Sequence, residues 1–149
     1  MIKDFKYQEA SIAVLEMRWD KNIADNVGDD RWIAWKAMAI ENHQQQKCTT
    51  FVILDGVDPI GEGTLVFSSQ NVEINGLRID KQYEDQGHIS NLVKVMEQHA
   101  KSLGYKTAII GVEPSETRNI KIYFHWGYDT FVKSETEEDG LILFYAKKL

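Results

Sequence analysis

Residues 72–112 read VEINGLRIDKQYEDQGHISNLVKVMEQHAKSLGYKTAIIGV. The first nine, Val72 to Asp80, have strand character, and Lys106 to Val112 is a short apolar run of the same type. Between them Ile89, Leu92, Val93, Met96, Ala100 and Leu103 recur at i, i+3, i+4, i+7, i+11 and i+14, which lines one face of an α-helix. Gly104 follows as its C-terminal stop. An amphipathic helix between two strands is a βαβ unit, whose strands run parallel with a right-handed crossover.

The loop that enters the helix, QYEDQGHIS at 82–90, is the second feature of this stretch. The first N–H groups of a helix point at whatever precedes it, and with the helix dipole they can hold an anion without a cationic side chain. Glu84 and Asp85 oppose an anion unless their carboxylates point outward, while Asp85 takes left-handed geometry more readily than most residues. His88 and Ser90 are each able to donate a hydrogen bond to a phosphate oxygen. Upstream, Gly76 lies inside the strand, where a glycine marks a bulge or a close backbone approach.

Outward from this unit the chain reads as alternating elements. Met1 to Tyr7 is a short strand, and Glu9 to Arg18 a helix with Ile12, Leu15 and Met17 near one side. Asp29 and Asp30 precede the helical run RWIAWKAMAIEN, acids at its positive end. Thr49 to Leu54 is a β-branched strand, Asp55-Gly56 a turn, and Gly63 to Ser68 a strand that pairs back, with Val72 to Asp80 the third in succession. Pro114 and Ser115 open a helix that ends near Trp126 with Gly127 as its cap, and Tyr128 to Lys133 with Leu141 to Lys147 form an antiparallel hairpin tipped by ETEED (135–139). The sum is an α/β fold, α+β by a stricter definition: a mixed, mostly antiparallel sheet of six to seven strands, about four helices on its faces, and one parallel βαβ unit.

A chain of 149 residues fits one domain, 1–149, and 43% hydrophobic with 27% charged residues suits a packed core. A net charge of −6 argues against a nucleic-acid partner, which needs a basic face. No apolar run reaches the roughly 20 residues of a membrane span, and MIKDFKYQEA lacks the apolar core of a secretory signal. Cys48 is the single cysteine, so no internal disulfide forms, no thiolate metal site is built from it alone, and a cytoplasmic setting follows. His43, His99 and His125 show no spacing for metal or triad chemistry, and no metal is expected.

The order of elements resembles the GNAT superfamily of N-acetyltransferases, which use acetyl-coenzyme A. Leu77 and Ile79 match the family's strand-end apolar pair, Gly87 the first glycine of its Arg/Gln-x-x-Gly-x-Gly/Ala motif, and Tyr83 a common aromatic before the loop. IYFHWGY (122–128) matches a second family motif, with Tyr123 and Gly127-Tyr128 in register. Glu84, Asp85 and Ile89 depart from the first motif, and Glu116 stands in place of a frequent asparagine, with Asn119 one turn on.

The resemblance implies that Asp85, Gln86, Gly87, His88, Ile89 and Ser90 hold the pyrophosphate of acetyl-coenzyme A and that Asn119 belongs to the cofactor site. A bulge at Gly76 would let the pantetheine arm pair with the main chain around Leu77 and Ile79. Acetyl transfer needs a deprotonated amine, a donor to the thioester oxygen and a proton for the leaving thiolate. Tyr123 matches the usual general acid, and Glu73, four residues before Leu77, the position of a glutamate base in some members; Glu62 and Glu113 are weaker candidates, and a helix tyrosine or strand glutamate is also ordinary structure. Trp32 and Trp35, at i and i+3, either cradle a cationic amine through cation–π contact or are simply core. The acceptor is then a primary amine of a small molecule or peptide, attacked directly without an acyl-enzyme, and homodimers are common enough in the family to leave one open here. A non-catalytic acyl-coenzyme A sensor is the alternative that the acidic loop favours, and a generic nucleotide site is a third.

Overall fold

The structure, a computed structural model, describes residues 4–138 and 140–149. Its strands are β1 (Phe5–Glu9), β2 (Cys48–Asp55), β3 (Asp58–Phe67), β4 (Val72–Ile79), β5 (Thr107–Val112), β6 (Thr130–Glu137) and β7 (Gly140–Lys148). The α-helices are α1 (Ile12–Asp25), α2 (Arg31–Gln44), α3 (His88–Ser102) and α4 (Thr117–His125). The strands follow the order β1-β2-β3-β4-β5-β7-β6 in one mixed sheet. The β4–β5 pair is parallel, and β1–β2, β5–β7 and β6–β7 are antiparallel. This is the expected α/β architecture with its βαβ unit. Part of the expected first strand, residues 1–3, lies outside the described residues.

The chain packs as two units, Met1–Thr64 with Gly76–Val95, and Leu65–Asn75 with Met96–Leu149. In the first, Ser11 caps α1 by accepting the Val14 N–H at 3.3 Å, and Leu15 and Trp19, one helical turn apart, are buried with Val52 of β2. Trp35, Ala39 and Ile40 of α2 pack on that cluster. Met17, expected on the inner side of α1, is 61% exposed. Two residues from Leu15 is some 200° around a helix, so the two side chains face opposite ways.

In the second unit the buried set is Leu65, Val72, Ile74, Met96, Ala100, Ala108, Ile109, Ile110, Val112, Tyr128 and Phe144. Three expectations shift here. Leu103 is exposed because α3 ends at Ser102 and leaves it in the following turn. Pro114 and Ser115 do not open α4: the Glu116 N–H bonds the Glu113 carbonyl at 3.0 Å, which makes 113–116 a turn, and the helix starts at Thr117. The hairpin is longer than expected, since Glu135, Thr136 and Glu137 are still paired, with Ile142, Leu141 and Gly140. Glu135 and Glu137 belong to a fully exposed strand, where charge costs little, and Glu138 to the turn that follows, while Asp139 lies outside the described residues.

Candidate functional site

The loop between β4 and α3 begins with a single 3-10 turn at Lys81–Tyr83 and an extended Glu84. Asp85 (φ 60°) and Gly87 (φ 85°) then both take the left-handed region on either side of Gln86. The first helical bond runs from the Asn91 N–H to the Gly87 carbonyl at 3.1 Å, so the amides of Gly87, His88, Ile89 and Ser90 precede the ladder and have no intrahelical carbonyl to bond. Turns of alternating handedness ahead of a helix make a concavity of N–H groups suited to an anion.

The side chains around this turn are disposed in three ways. Glu84 and Asp85 are exposed, so their charges are hydrated and screened. Gln86 Nε2 donates to the Gln82 carbonyl at 3.1 Å, and the Tyr83 hydroxyl donates to Asp55 at 2.6 Å, which ties the loop to β2. The ring of His88, expected to face a phosphate, is turned inward instead. It is 6% exposed, lies 4.3 Å from the Phe5 ring, and its Nδ1 is 2.9 Å from the Tyr7 hydroxyl. What His88 presents at the helix start is its main-chain N–H.

Upstream, the β4–β5 ladder joins Val72–Ile74 to Ala108–Ile110 and goes no further along β4. Gly76 follows with φ +63°, and beyond it Leu77 and Ile79 are half-buried. Opposite Arg78, Gly61 lets β3 lie close: a Cβ there would stand 2.8 Å from the Arg78 carbonyl oxygen.

Trp32 and Trp35 do come together, edge-on at 5.3 Å, and both are half-buried. The cation beside them is the protein's own, since the Arg78 guanidinium lies 5.0 Å from the Trp32 ring and 5.7 Å from that of Trp35. Arg78 Nη1 is also 3.8 Å from Glu62, which is 3% exposed and stands 3.6 Å from Arg18 Nη2. Arg18, itself 4% exposed, donates to Asp80 at 2.8 Å and to the Pro59 carbonyl at 3.2 Å, and Lys21 reaches Asp80 at 3.2 Å. Sequence reading missed Arg18, Arg78 and Asp80. A signal existed for Arg18: it sits between Leu15 and Trp19 on the buried side of α1, and a cation there requires a carboxylate.

In the second unit, Tyr123 of α4 is half-buried, with its ring 5.6 Å from that of Trp126. Its hydroxyl has no hydrogen-bond partner among the described residues. Burial first, and the Glu116 charge second, push its pKa above the ordinary tyrosine value, so it holds its proton. Asn119, one turn earlier, donates to Glu116 at 2.6 Å, while the other oxygen of Glu116 accepts the Glu113 N–H at 3.1 Å. Glu73 accepts from Asn75 at 3.1 Å.

Cys48 has a partner that its spacing hid, with Sγ 3.3 Å from His43 Nδ1. Burial raises the thiol pKa, and His43 is engaged by the Ala39 carbonyl and the Thr50 hydroxyl at 2.6 and 2.8 Å, so this is packing rather than an activated nucleophile. Among the described residues no group of three His, Cys, Asp or Glu is placed to hold a metal ion, and no helix is long and apolar enough to cross a membrane.

The model of the acetyltransferase (GNAT) family matches residues 7–128. No curated protein matches the sequence. Among solved structures, the IAA acetyltransferase from Bacillus cereus superimposes with a TM-score of 0.71 at 16% identity, covering 98% of this chain and 100% of its own. A GNAT family acetyltransferase from Elizabethkingia anophelis with acetyl-CoA bound gives 0.71 at 14% identity, with 97% and 98% covered. The PaiA N-acetyltransferase from Thermoplasma acidophilum in complex with coenzyme A gives 0.70 at 16%, with 98% and 99% covered. At these identities the likeness is one of fold.

Proposed function

The chain belongs to the GNAT acetyltransferase family, and from that premise we propose that it moves an acetyl group from acetyl-coenzyme A directly onto a primary amine of a small molecule or peptide. The observation that carries this reading is the turn at Asp85–Gly87, with two left-handed residues ahead of α3, four amides before the helical ladder, and both acids exposed. In it the amides of residues 86 to 90 hold the pyrophosphate, and the main chain at Leu77 and Ile79 pairs with the pantetheine amides. Two structural neighbours solved with acetyl-CoA or CoA bound support the cofactor.

The chemistry assigned to the chain's own groups is modest. Tyr123 donates its proton to the departing thiolate, for which a protonated hydroxyl with no internal partner is suited. Glu73 takes the ammonium proton, directly or through water, and a main-chain N–H of β4 stabilises the oxyanion. Asn119, held by Glu116, borders the cofactor. The whole chain acts as one acetyltransferase domain in the cytoplasm, a setting that suits the lone free Cys48.

Glu84 and Asp85 favour a second reading, a non-catalytic acyl-coenzyme A sensor, because they weaken the attraction for a diphosphate. Calorimetric titration with acetyl-coenzyme A, followed by free-thiol release over a panel of amines, tests both. Binding with turnover supports the enzyme, binding without turnover the sensor, and no binding at millimolar coenzyme overturns both.

A further inference from the structure

We propose that Arg78 is the anchor for a carboxylate carried by the acceptor, so that the acceptor class is a primary amine bearing a carboxylate. This rests on the acetyltransferase reading and narrows it.

The first ground is charge. Around Glu62 the cations Arg18, Lys21 and Arg78 face two carboxylates, Glu62 and Asp80, which leaves one positive charge in surplus within a chain of net charge −6. The second is which cation carries that surplus. Arg18 is buried and donates to Asp80 and Pro59, and Lys21 pairs with Asp80. The Arg78 side chain makes no hydrogen bond among the described residues, and 37% of it is exposed. Its approach to Glu62 at 3.8 Å is a loose charge pair, and both Glu62 oxygens remain without a hydrogen-bond partner. The five N–H donors of the guanidinium are therefore available.

The third ground is orientation. Trp32 and Trp35 flank the guanidinium, and Gly61 allows β3 to lie against the Arg78 main chain, so the fork is held before any ligand arrives. A planar, pre-oriented fork with open donors matches a carboxylate through two parallel hydrogen bonds. The fourth is place. Arg78 lies between Leu77 and Ile79 in β4, and strand alternation turns its side chain to the opposite face from theirs. The tryptophan pair thus acts through the arginine. A cationic amine at the same spot would meet a guanidinium already there, and Glu62 lies too deep to draw it in.

Glycine, β-alanine and 4-aminobutyrate are compared with their carboxamides, by thiol release and by tryptophan fluorescence, in the wild type, Arg78→Gln and Arg78→Lys. A carboxylate preference of about 10- to 100-fold for at least one chain length is expected in the wild type, the range of a charged hydrogen-bonded pair. That ratio should fall to within about threefold in Arg78→Gln. Arg78→Lys keeps the charge beside Glu62, and so the fold, but loses the fork; its ratio should lie between the two. A wild-type ratio near one, or a preference that survives in both variants, overturns the proposal. If acetyl-coenzyme A binds and amines turn over without carboxylate preference, only this inference fails. If nothing turns over, the acetyltransferase reading fails, and a fluorescence response to carboxylates that is lost in Arg78→Gln and weakened in Arg78→Lys still supports the anion site, while no response, or one that survives in Arg78→Gln, overturns it.

Discussion

A tyrosine hydroxyl is useful as an acid only while it keeps its proton, and Tyr123 is placed to do so by burial and by Glu116. Replacing it with Phe should lower turnover by about 10²- to 10⁴-fold, the usual worth of a positioned acid, with little change in acetyl-coenzyme A affinity by calorimetry. Equal loss of both would mean that the ring packs and does no more. Asp80 presents the complementary case, a structural charge: it is the shortest partner of buried Arg18 at 2.8 Å. Asp80→Asn should destabilise the protein by about 3 kcal/mol in urea unfolding, the low end for breaking a buried pair, because Glu62 still offsets part of the charge. A loss under about 1 kcal/mol would show that Glu62 alone suffices. The contact between Trp32 and Trp35 was legible through their spacing. The pairs Arg18–Asp80 and Arg78–Trp32 were not, because residues separated by some tens of positions leave no mark on each other's local pattern.

At the scale of elements, what could be read was what repeats. The face of α3 was legible because Leu92, Val93, Met96 and Ala100 recur at helical spacing, and each is 2% exposed or less. The start of α4 was not: Pro114 looks the same whether it begins a helix or a turn, and the Glu116–Glu113 bond decides. The length of β6 was hidden for a different reason, since an exposed edge strand tolerates the acids that elsewhere signal a loop. In the loop before α3, the left-handed backbone of Asp85 was legible but not the inward turn of His88, which depends on Phe5 and Tyr7 of β1. That loop carries a prediction of its own. Asp85 is exposed and left-handed, so Asp85→Gly keeps the turn while removing a charge beside the proposed pyrophosphate. Acetyl-coenzyme A affinity should rise by about fivefold at low ionic strength, a gain that shrinks as salt is added. An unchanged or weaker affinity at every salt concentration would place the diphosphate elsewhere.

For the whole molecule, the stability that several elements share should show itself in alkali. The Tyr128 hydroxyl, fully buried, donates to Glu97 at 2.6 Å, and Lys147 bonds the same carboxylate at 3.0 Å while lying over the Tyr128 ring at 5.6 Å, so α3, the turn after α4 and β7 meet at one phenol. Burial, then the hydrogen bond to Glu97, raises its pKa far above the ordinary tyrosine value of about 10. Tyr123 shifts in the same direction. A raised folded pKa means that above pH about 10 the unfolded chain releases protons that the folded one retains, so stability is complete below that pH and falls as pH climbs beyond it. Cys48, whose thiol is raised by burial, begins a smaller loss nearer pH 8.5 by the same sign. Urea unfolding across pH 7 to 11.5 should therefore show a shallow decline followed by a steeper one. Tyr128→Phe should cost about 1 to 2 kcal/mol at pH 7, from the lost hydrogen bond to a charged group, and should flatten the steeper limb while leaving the earlier one in place. If the variant keeps the full slope above pH 10, Tyr128 is not the group that carries it, and the fold's alkaline limit lies with the half-buried Tyr123 instead.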